Sequence, residues 1–316
     1  MDVEITKSNG RSIRLSDFGI VKDFVVESIS LDEIKETGEG MHGFIDYGAF
    51  YRSRRITVPM KFKSESLHGF ALVRDELYKA MTDIEPVYIR EMRRPERLQY
   101  DFVSFGEKPR WSDNTDNRYV GGKRFKVRMI STLSPEQIVT DGEVTLEFET
   151  VESPFAESIG TSMDLHRDGL DPSSGIWGAG MNLDAREYKY SETLTNSSLG
   201  LDLPHTISVY NPSDVDVTPF EHDLKITLTG IYGVPLSSSG IIQLTNQSNG
   251  SKMRAYGPIL NNQTLIYDGP TVTLDGAQYL GNTRRDFIHL SPGINNIRIY
   301  YADRAKVEFD FRFYYK

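Results

Sequence analysis

Lys306-Val307-Glu308-Phe309-Asp310-Phe311-Arg312-Phe313 alternates without a break: the even positions are charged and the odd positions are apolar. Successive side chains of a strand point to opposite faces, so this octet predicts a β-strand with one buried and one wet face. The same period of two recurs in Ile56/Val58/Met60/Phe62, Phe125/Val127/Met129, Val144/Leu146/Phe148 and Leu224/Ile226/Leu228. With 16 Phe and 17 Tyr to fill half-buried pleated surfaces, the chain is expected to be mainly β.

One stretch departs from this pattern. From Ser66 to Ile84 the apolar residues fall at helical spacing, Ser64 or Ser66 is placed to cap the start, and Pro86 stops it. Leu67, Phe70, Ala71, Leu77, Tyr78, Met81 and Ile84 are expected on the buried arc. Arg74 falls inside that arc and is expected to run its stem along it toward water or a carboxylate. Leu72 lies opposite, a candidate subunit contact.

At 316 residues the chain suits two domains, each able to bury a core. The boundary is expected at Ser153-Pro154, giving domains 1–153 and 154–316. Beyond it about ten short β runs alternate with turn signals such as Asn211-Pro212, Asn249-Gly250, Asp275-Gly276 and Pro292-Gly293, the pattern of a sandwich or jelly roll.

Composition removes several function classes. The absence of cysteine excludes disulfides, thiolate metal sites and thiol nucleophiles. No apolar run approaches the ~18 residues of a membrane-spanning helix, and Met1-Asp2-Val3-Glu4 does not open a signal peptide. The net charge of −9 is spread over both parts, with 23 Lys/Arg against 26 Asp/Glu up to residue 150 and 13 against 19 beyond it. Specific nucleic-acid binding, which needs a basic footprint, is not expected.

No nucleophile elbow or P-loop is present; Gly121-Gly122-Lys123 is followed by Arg124 and is better read as a hairpin turn. The six histidines are scattered without metal-ligand spacing. Asp214, Asp216, Glu221, His222 and Asp223 offer a weak Ca²⁺ loop, with a solvated acidic turn as the plainer interpretation. The chain is expected to be no enzyme and to need no cofactor or metal. Trp177, Tyr188, Tyr190, Tyr232 and Tyr256 are candidate sugar-stacking rings, although core packing is their commoner use. Arg52, Arg54, Arg55, Lys61 and Lys63, then Arg90, Arg93, Arg94 and Arg97, form basic runs facing acids such as Asp46, Glu91 and Glu96, suited to solvated faces or to intersubunit salt bridges.

Three stretches taken in order resemble a known family. Gly43-Phe44-Ile45-Asp46-Tyr47-Gly48-Ala49-Phe50-Tyr51 runs into Arg54-Arg55-Ile56-Thr57-Val58-Pro59-Met60 and then the helix. Ile207 to Pro219 holds Val209-Tyr210-Asn211-Pro212 between two strands, and Leu290-Ser291-Pro292-Gly293-Ile294-Asn295-Asn296-Ile297 closes the chain's last third. Together they resemble the distal tail (Dit) proteins of siphophages, most closely those of Gram-positive, staphylococcal-like hosts.

The resemblance implies an N-terminal β-sandwich or barrel-like domain with one α-helix and an extended arm at about 43–63, followed by a galectin-like or jelly-roll β-sandwich. It implies a structural virion protein assembled in the host cytoplasm: a homohexameric ring at the distal end of the tail, which DNA passes through. Its partners would be the tail-tube protein, the tape-measure protein, a tail-associated lysin or hub protein, and receptor-binding or other baseplate proteins, with no membrane involved. Asp46 and Tyr47 at the arm tip and Arg52, Arg54 and Arg55 at its root are the expected interface. The competing expectation is a carbohydrate-binding module that acts on the host wall through the second domain.

Overall fold

The computed structural model describes residues 1–40, 42–64, 66–93, 117–171, 174–196, 205–237 and 240–316. The chain forms two compact units, Met1–Ala156 and Glu157–Lys316. Both are mainly β, as the alternation predicts.

The first unit contains β1 (Asp2–Thr6), β2 (Ser12–Arg14), β3 (Ile20–Val21), β4 (Val25–Val26), β5 (Leu31–Glu36), β6 (Ile45–Tyr51), β7 (Arg55–Lys63), α1 (Gly69–Met81), β8 (Val87–Arg93), β9 (Arg118–Tyr119), β10 (Lys123–Met129), β11 (Glu136–Ile138) and β12 (Asp141–Thr150). Its main sheet runs β2-β1-β8-β10-β12-β7-β3, with β4 also on β7, β9 on β8 and β11 on β12. The β7–β12 ladder is the longest in this unit, pairing every residue from Arg55↔Glu149 to Lys63↔Asp141. Ile56, Val58, Met60 and Phe62 meet Val144, Leu146 and Phe148 on one face and are buried with Val3, Ile5, Leu15, Ile89 and Val127. Burying such side chains contributes about 1.5–3 kcal/mol each.

Two residues shape this sheet. Pro59 has no N–H, and its carbonyl accepts from the Lys22 N–H on the β3–β4 side. That side is therefore divided into two short pieces, at Ile20–Val21 and Val25–Val26. Gly142 lies against the Phe62 ring, where a Cβ would come within 2.4 Å of it.

Helix α1 starts where Ser66 Oγ accepts from the Gly69 N–H at 3.0 Å. It is shorter than the expected 66–84 span, and its buried face differs. Phe70, Leu77 and Met81 are buried, Val73 and Ala80 pack beside them, and the Phe70 ring stacks on Phe62. Leu67 and Ile84 lie beyond the helix ends and are exposed, as is Ala71. Arg74 bonds Asp75 and reaches over the Tyr78 ring.

The second unit follows β13 (Ala156–Ser158), which starts at the boundary. It contains α2 (Ser162–Asp168), β14 (Ser191–Thr195), β15 (Ile207–Asn211), β16 (Leu224–Tyr232), β17 (Ile241–Asn246), β18 (Lys252–Tyr256), β19 (Leu265–Asp268), β20 (Thr271–Leu274), β21 (Ala277–Gln278), β22 (Gly293–Tyr300), β23 (Arg304–Phe311) and β24 (Tyr314–Tyr315). The short α2 was not expected; a capping box of Thr161 and Asp164 begins it. The strands form two antiparallel sheets, β14-β23-β16-β19-β20-β21 and β15-β22-β17-β18. Leu224, Ile226, Leu228, Val307, Phe309 and Phe311 of one sheet and Ile207, Val209, Leu244, Met253, Ile297 and Ile299 of the other are buried, giving a β-sandwich. The opening octet behaves as read up to Phe311. Beyond it Phe313 stays buried, and Arg312 turns to donate to the Ser158 and Ile159 carbonyls.

Two stretches that carry the family resemblance meet in this sandwich. Asn211 pairs with Gly293 at the ends of β15 and β22, and its side-chain amide donates to the Leu290 carbonyl. The fully buried Asn295 accepts from the Ser291 N–H and donates to the Ser291 and Gly293 carbonyls, holding the turn in which Gly293 has φ +92°. The amide of Asn246, also fully buried, donates to the Asn295 side-chain oxygen. Pro-Gly-x-Asn is thus a turn stapled from within the core.

Candidate functional site

Among the described residues, strands β5 and β6 pair only with each other. Every residue of β6 is exposed, and all of β5 except the partly covered Asp32. Such a two-stranded hairpin is marginal in water without a third strand or a packing surface. This one is tied at its base, where the Arg52 N–H donates to the Ser30 carbonyl, the Ser30 N–H to the Ser53 carbonyl, and the Tyr51 ring meets Phe155 edge-on.

The pairing shifts between Glu33 and Lys35: Glu33 opposes Ala49, but Lys35 opposes Asp46. Tyr47 and Gly48 of β6 therefore oppose the single residue Ile34 of β5, which is a β-bulge. Gly48 takes φ +106° there, and the Asp46 carboxylate accepts its N–H at 2.8 Å. The bulge exchanges the faces of β6. On one face lie Asp32, Ile34, Glu36, Ile45, Tyr47, Phe50 and Arg52, and the contacts agree. Tyr47 Oη donates to Glu36 at 2.7 Å, and Arg52 bonds Asp32 at 2.7 Å. On the other, Lys35 pairs Glu33 and sits 4.5 Å from the centroid of the Phe44 ring.

The result is an exposed apolar stripe of Ile34, Ile45, Tyr47 and Phe50 rimmed by acids, with Tyr47 58% and Phe50 53% exposed. Strict alternation would have put Phe50 on the face opposite Ile45 and Tyr47. The bond to the Glu36 carboxylate raises the Tyr47 pKa, so its hydroxyl keeps its proton across the physiological range.

The expected arm thus divides differently from 43–63. Residues 31–36 join it, whereas 55–63 are β7, buried in the main sheet. Asp46, Tyr47 and Arg52 all lie on the hairpin, Tyr47 and Arg52 on the face of the stripe and Asp46 on the other. Arg55 is exposed on β7, and Leu72 is 64% exposed on α1. Arg54 turns inward instead: it is 8% exposed, lies over the Phe125 ring, and burial lowers its pKa. Of the second basic run, Arg90 covers Tyr119 and Arg93 pairs Glu91 and Asp23, while Arg94 and Arg97 lie outside the described residues. Ile34 and Gly48 were missed, because the bulge that aligns the stripe leaves no mark beyond a glycine.

The sugar-stacking candidates are mostly core. Trp177 packs on Gly160 and Phe313, Tyr188 and Tyr190 are buried, and the half-exposed Tyr232 carries Arg304 on its ring. Asp214 accepts from Asn182 and from the Lys316 N–H, and His222 is largely buried against Tyr314. Among the described residues, no group of three His, Asp or Glu side chains is placed to hold a metal ion.

Residues 8–150 match the family model for the phage tail protein RIFT-related domain. No curated protein matches. Among solved structures, the chain is similar to the Dit protein of phage SPP1, described as a paradigm of the hub adsorption apparatus in phages that infect Gram-positive hosts. The identity is 12%, covering 98% of this chain and 99% of that one, with a TM-score of 0.57. The baseplate of phage p2 in its activated conformation aligns at 9% identity over 98% of this chain and 97% of that one, with a TM-score of 0.37.

Proposed function

For a siphophage tail protein built on the Dit fold, we propose the part of a ring-forming baseplate hub. Six copies close head to tail at the distal end of the tail and join the tail tube to the host-adsorption apparatus. The observation that carries this is the β5–β6 hairpin, which exposes Ile34, Ile45, Tyr47 and Phe50 and finds no third strand among the described residues. A hairpin of this kind buries its stripe when laid on a neighbour, and repeated head-to-tail contact closes a ring. The tail-tube protein, tape-measure protein, lysin or hub protein and receptor-binding proteins then attach to the ring and its sandwiches. No catalysis is assigned. The net charge of −9 suits a passage to which DNA does not adhere.

The test is excision of residues 31–51 with a two-glycine bridge from Ser30 to Arg52, whose backbone groups already bond at 2.9 Å. Light scattering and negative-stain images should show rings for the full chain and folded monomers for the excised one. Intact rings without the hairpin would overturn its assignment.

A further inference from the structure

If the hairpin is a belt, one surface of the neighbouring copy must receive it, and the charge distribution singles one out. We propose that the acidic β5–β6 hairpin docks on the basic β9–β10 surface of a second copy of this chain; the proposal rests on the belt assignment above and adds its receptor.

Residues 31–51 carry five carboxylates against one lysine, and residues 117–135 carry five Lys and Arg with no acid. On β10 the inward positions are Phe125, Val127 and Met129, so Arg124, Lys126, Arg128 and Ile130 share the outer face. Two aromatic rings back this face: Arg124 lies 3.7 Å from the Tyr88 ring centroid and Arg90 3.5 Å from that of Tyr119. Arg118 and Arg128 are exposed and have no ion pair among the described residues, although Arg128 stands opposite Glu149 in the β10–β12 register. Val120 and Ile130, both exposed, flank β10 with apolar surface of the kind the stripe of Ile34, Ile45, Tyr47 and Phe50 requires. The lengths also agree, since β6 and β10 have seven residues each.

In the receptor Lys126 pairs Glu152, which leaves Arg118 and Arg128 as its exposed cations. A second acid-free basic run, 47–64, leaves Arg55 exposed but has three of its cations engaged or turned inward. Arg52 bonds Asp32 of its own hairpin, Arg54 is buried, and Lys61 pairs Asp141. Two different patches of opposite charge on one chain make a heterologous contact, which is what a ring needs. Charge complementarity of this kind sets partner choice and register, and it weakens with salt.

The test uses two full-length variants. Glu36→Lys/Glu39→Lys reverses the hairpin, and Arg118→Glu/Arg128→Glu reverses the receptor. Each should remain folded with a single cooperative melting transition and assemble at least tenfold more weakly than the wild type in sedimentation. Mixed one to one they should assemble again as alternating rings, because the reversed hairpin then meets the reversed receptor and the native pair meets itself. If the receptor variant assembles normally while the hairpin variant fails, the receptor is wrong and the belt stands. Normal assembly of both variants, or a wild type that stays monomeric at millimolar concentration, counts against both assignments. Defects that mixing does not repair overturn the pairing proposed here.

Discussion

Three residues separate the hairpin strand β6 from the core strand β7, yet the two ladders have opposite fates. In the β7–β12 pair every second side chain is buried in its own domain, and stability comes from burial within the chain. In the β5–β6 pair the apolar side chains face water on both sides. Both are antiparallel, and both are rich in aromatic and β-branched residues. On the function proposed above, what distinguishes them is whether the surface they need lies in the same molecule. A well-formed ladder that exposes an aligned apolar stripe is a ladder waiting for a partner.

Substitutions that break this contrast differ in size. Leu146→Ala, at the centre of the buried ladder, should cost about 2–5 kcal/mol in urea unfolding, the range for deleting a fully buried leucine. A cost under about 1 kcal/mol would show that the main sheet is not where the first unit's stability resides. Asn295→Leu should destabilise the second unit by about 1–3 kcal/mol, since it takes the acceptor from one N–H of the buried Asn246 amide and the side-chain partners from the Ser291 backbone groups. An unchanged melting transition would mean that water replaces the staple at no cost.

A smaller effect should come with pH. His222 is held below its ordinary 6.5 by burial, which outweighs the nearby Glu221, Asp223 and Asp216. Its Nδ1 accepts the Thr218 N–H, so it is neutral in the fold. The unfolded chain therefore binds the proton more readily, and stability is lost as pH falls below about 6.5, levelling off below the folded pKa. His222→Phe should flatten that part of the profile for the second unit; an unaltered slope would place the titration elsewhere.

The smallest effect on the monomer, and the sharpest for the comparison, is Phe50→Ser. It should change unfolding free energy by no more than about 0.5 kcal/mol while weakening assembly. Gly48→Val should act in the same way by straining the bulge. A large loss of monomer stability in either variant would mean that the hairpin packs on its own chain.

The strands whose alternation is complete were legible because burial on one face imposes the period directly; Ile56 to Phe62 and Val307 to Phe311 are examples. Helix α1 was legible in kind and less so in detail. Leu67 and Ile84 fit the wheel but fall outside the capped turns, and a wheel has no ends. Leu31-Asp32-Glu33-Ile34-Lys35-Glu36 showed no strand signal at all, because it becomes a strand by pairing with β6. Of the residues expected at the interface, Asp46, Tyr47 and Arg52 lie on the exposed hairpin. Arg54, between β6 and β7, turns inward over the Phe125 ring, and nothing in the local sequence separates it from its exposed neighbours Arg52 and Arg55. Asn295 looked like an ordinary turn residue, and only the meeting of distant segments reveals it as buried.

Hydrogen exchange of the backbone amides in residues 31–51 tests the central claim most directly, measured once on dilute protein and once on assembled particles. The account predicts fast exchange at dilution beside a protected β7–β12 ladder, and strong protection of the hairpin on assembly. Equal protection in both states, or a hairpin that exchanges freely within the assembled particle, would contradict it.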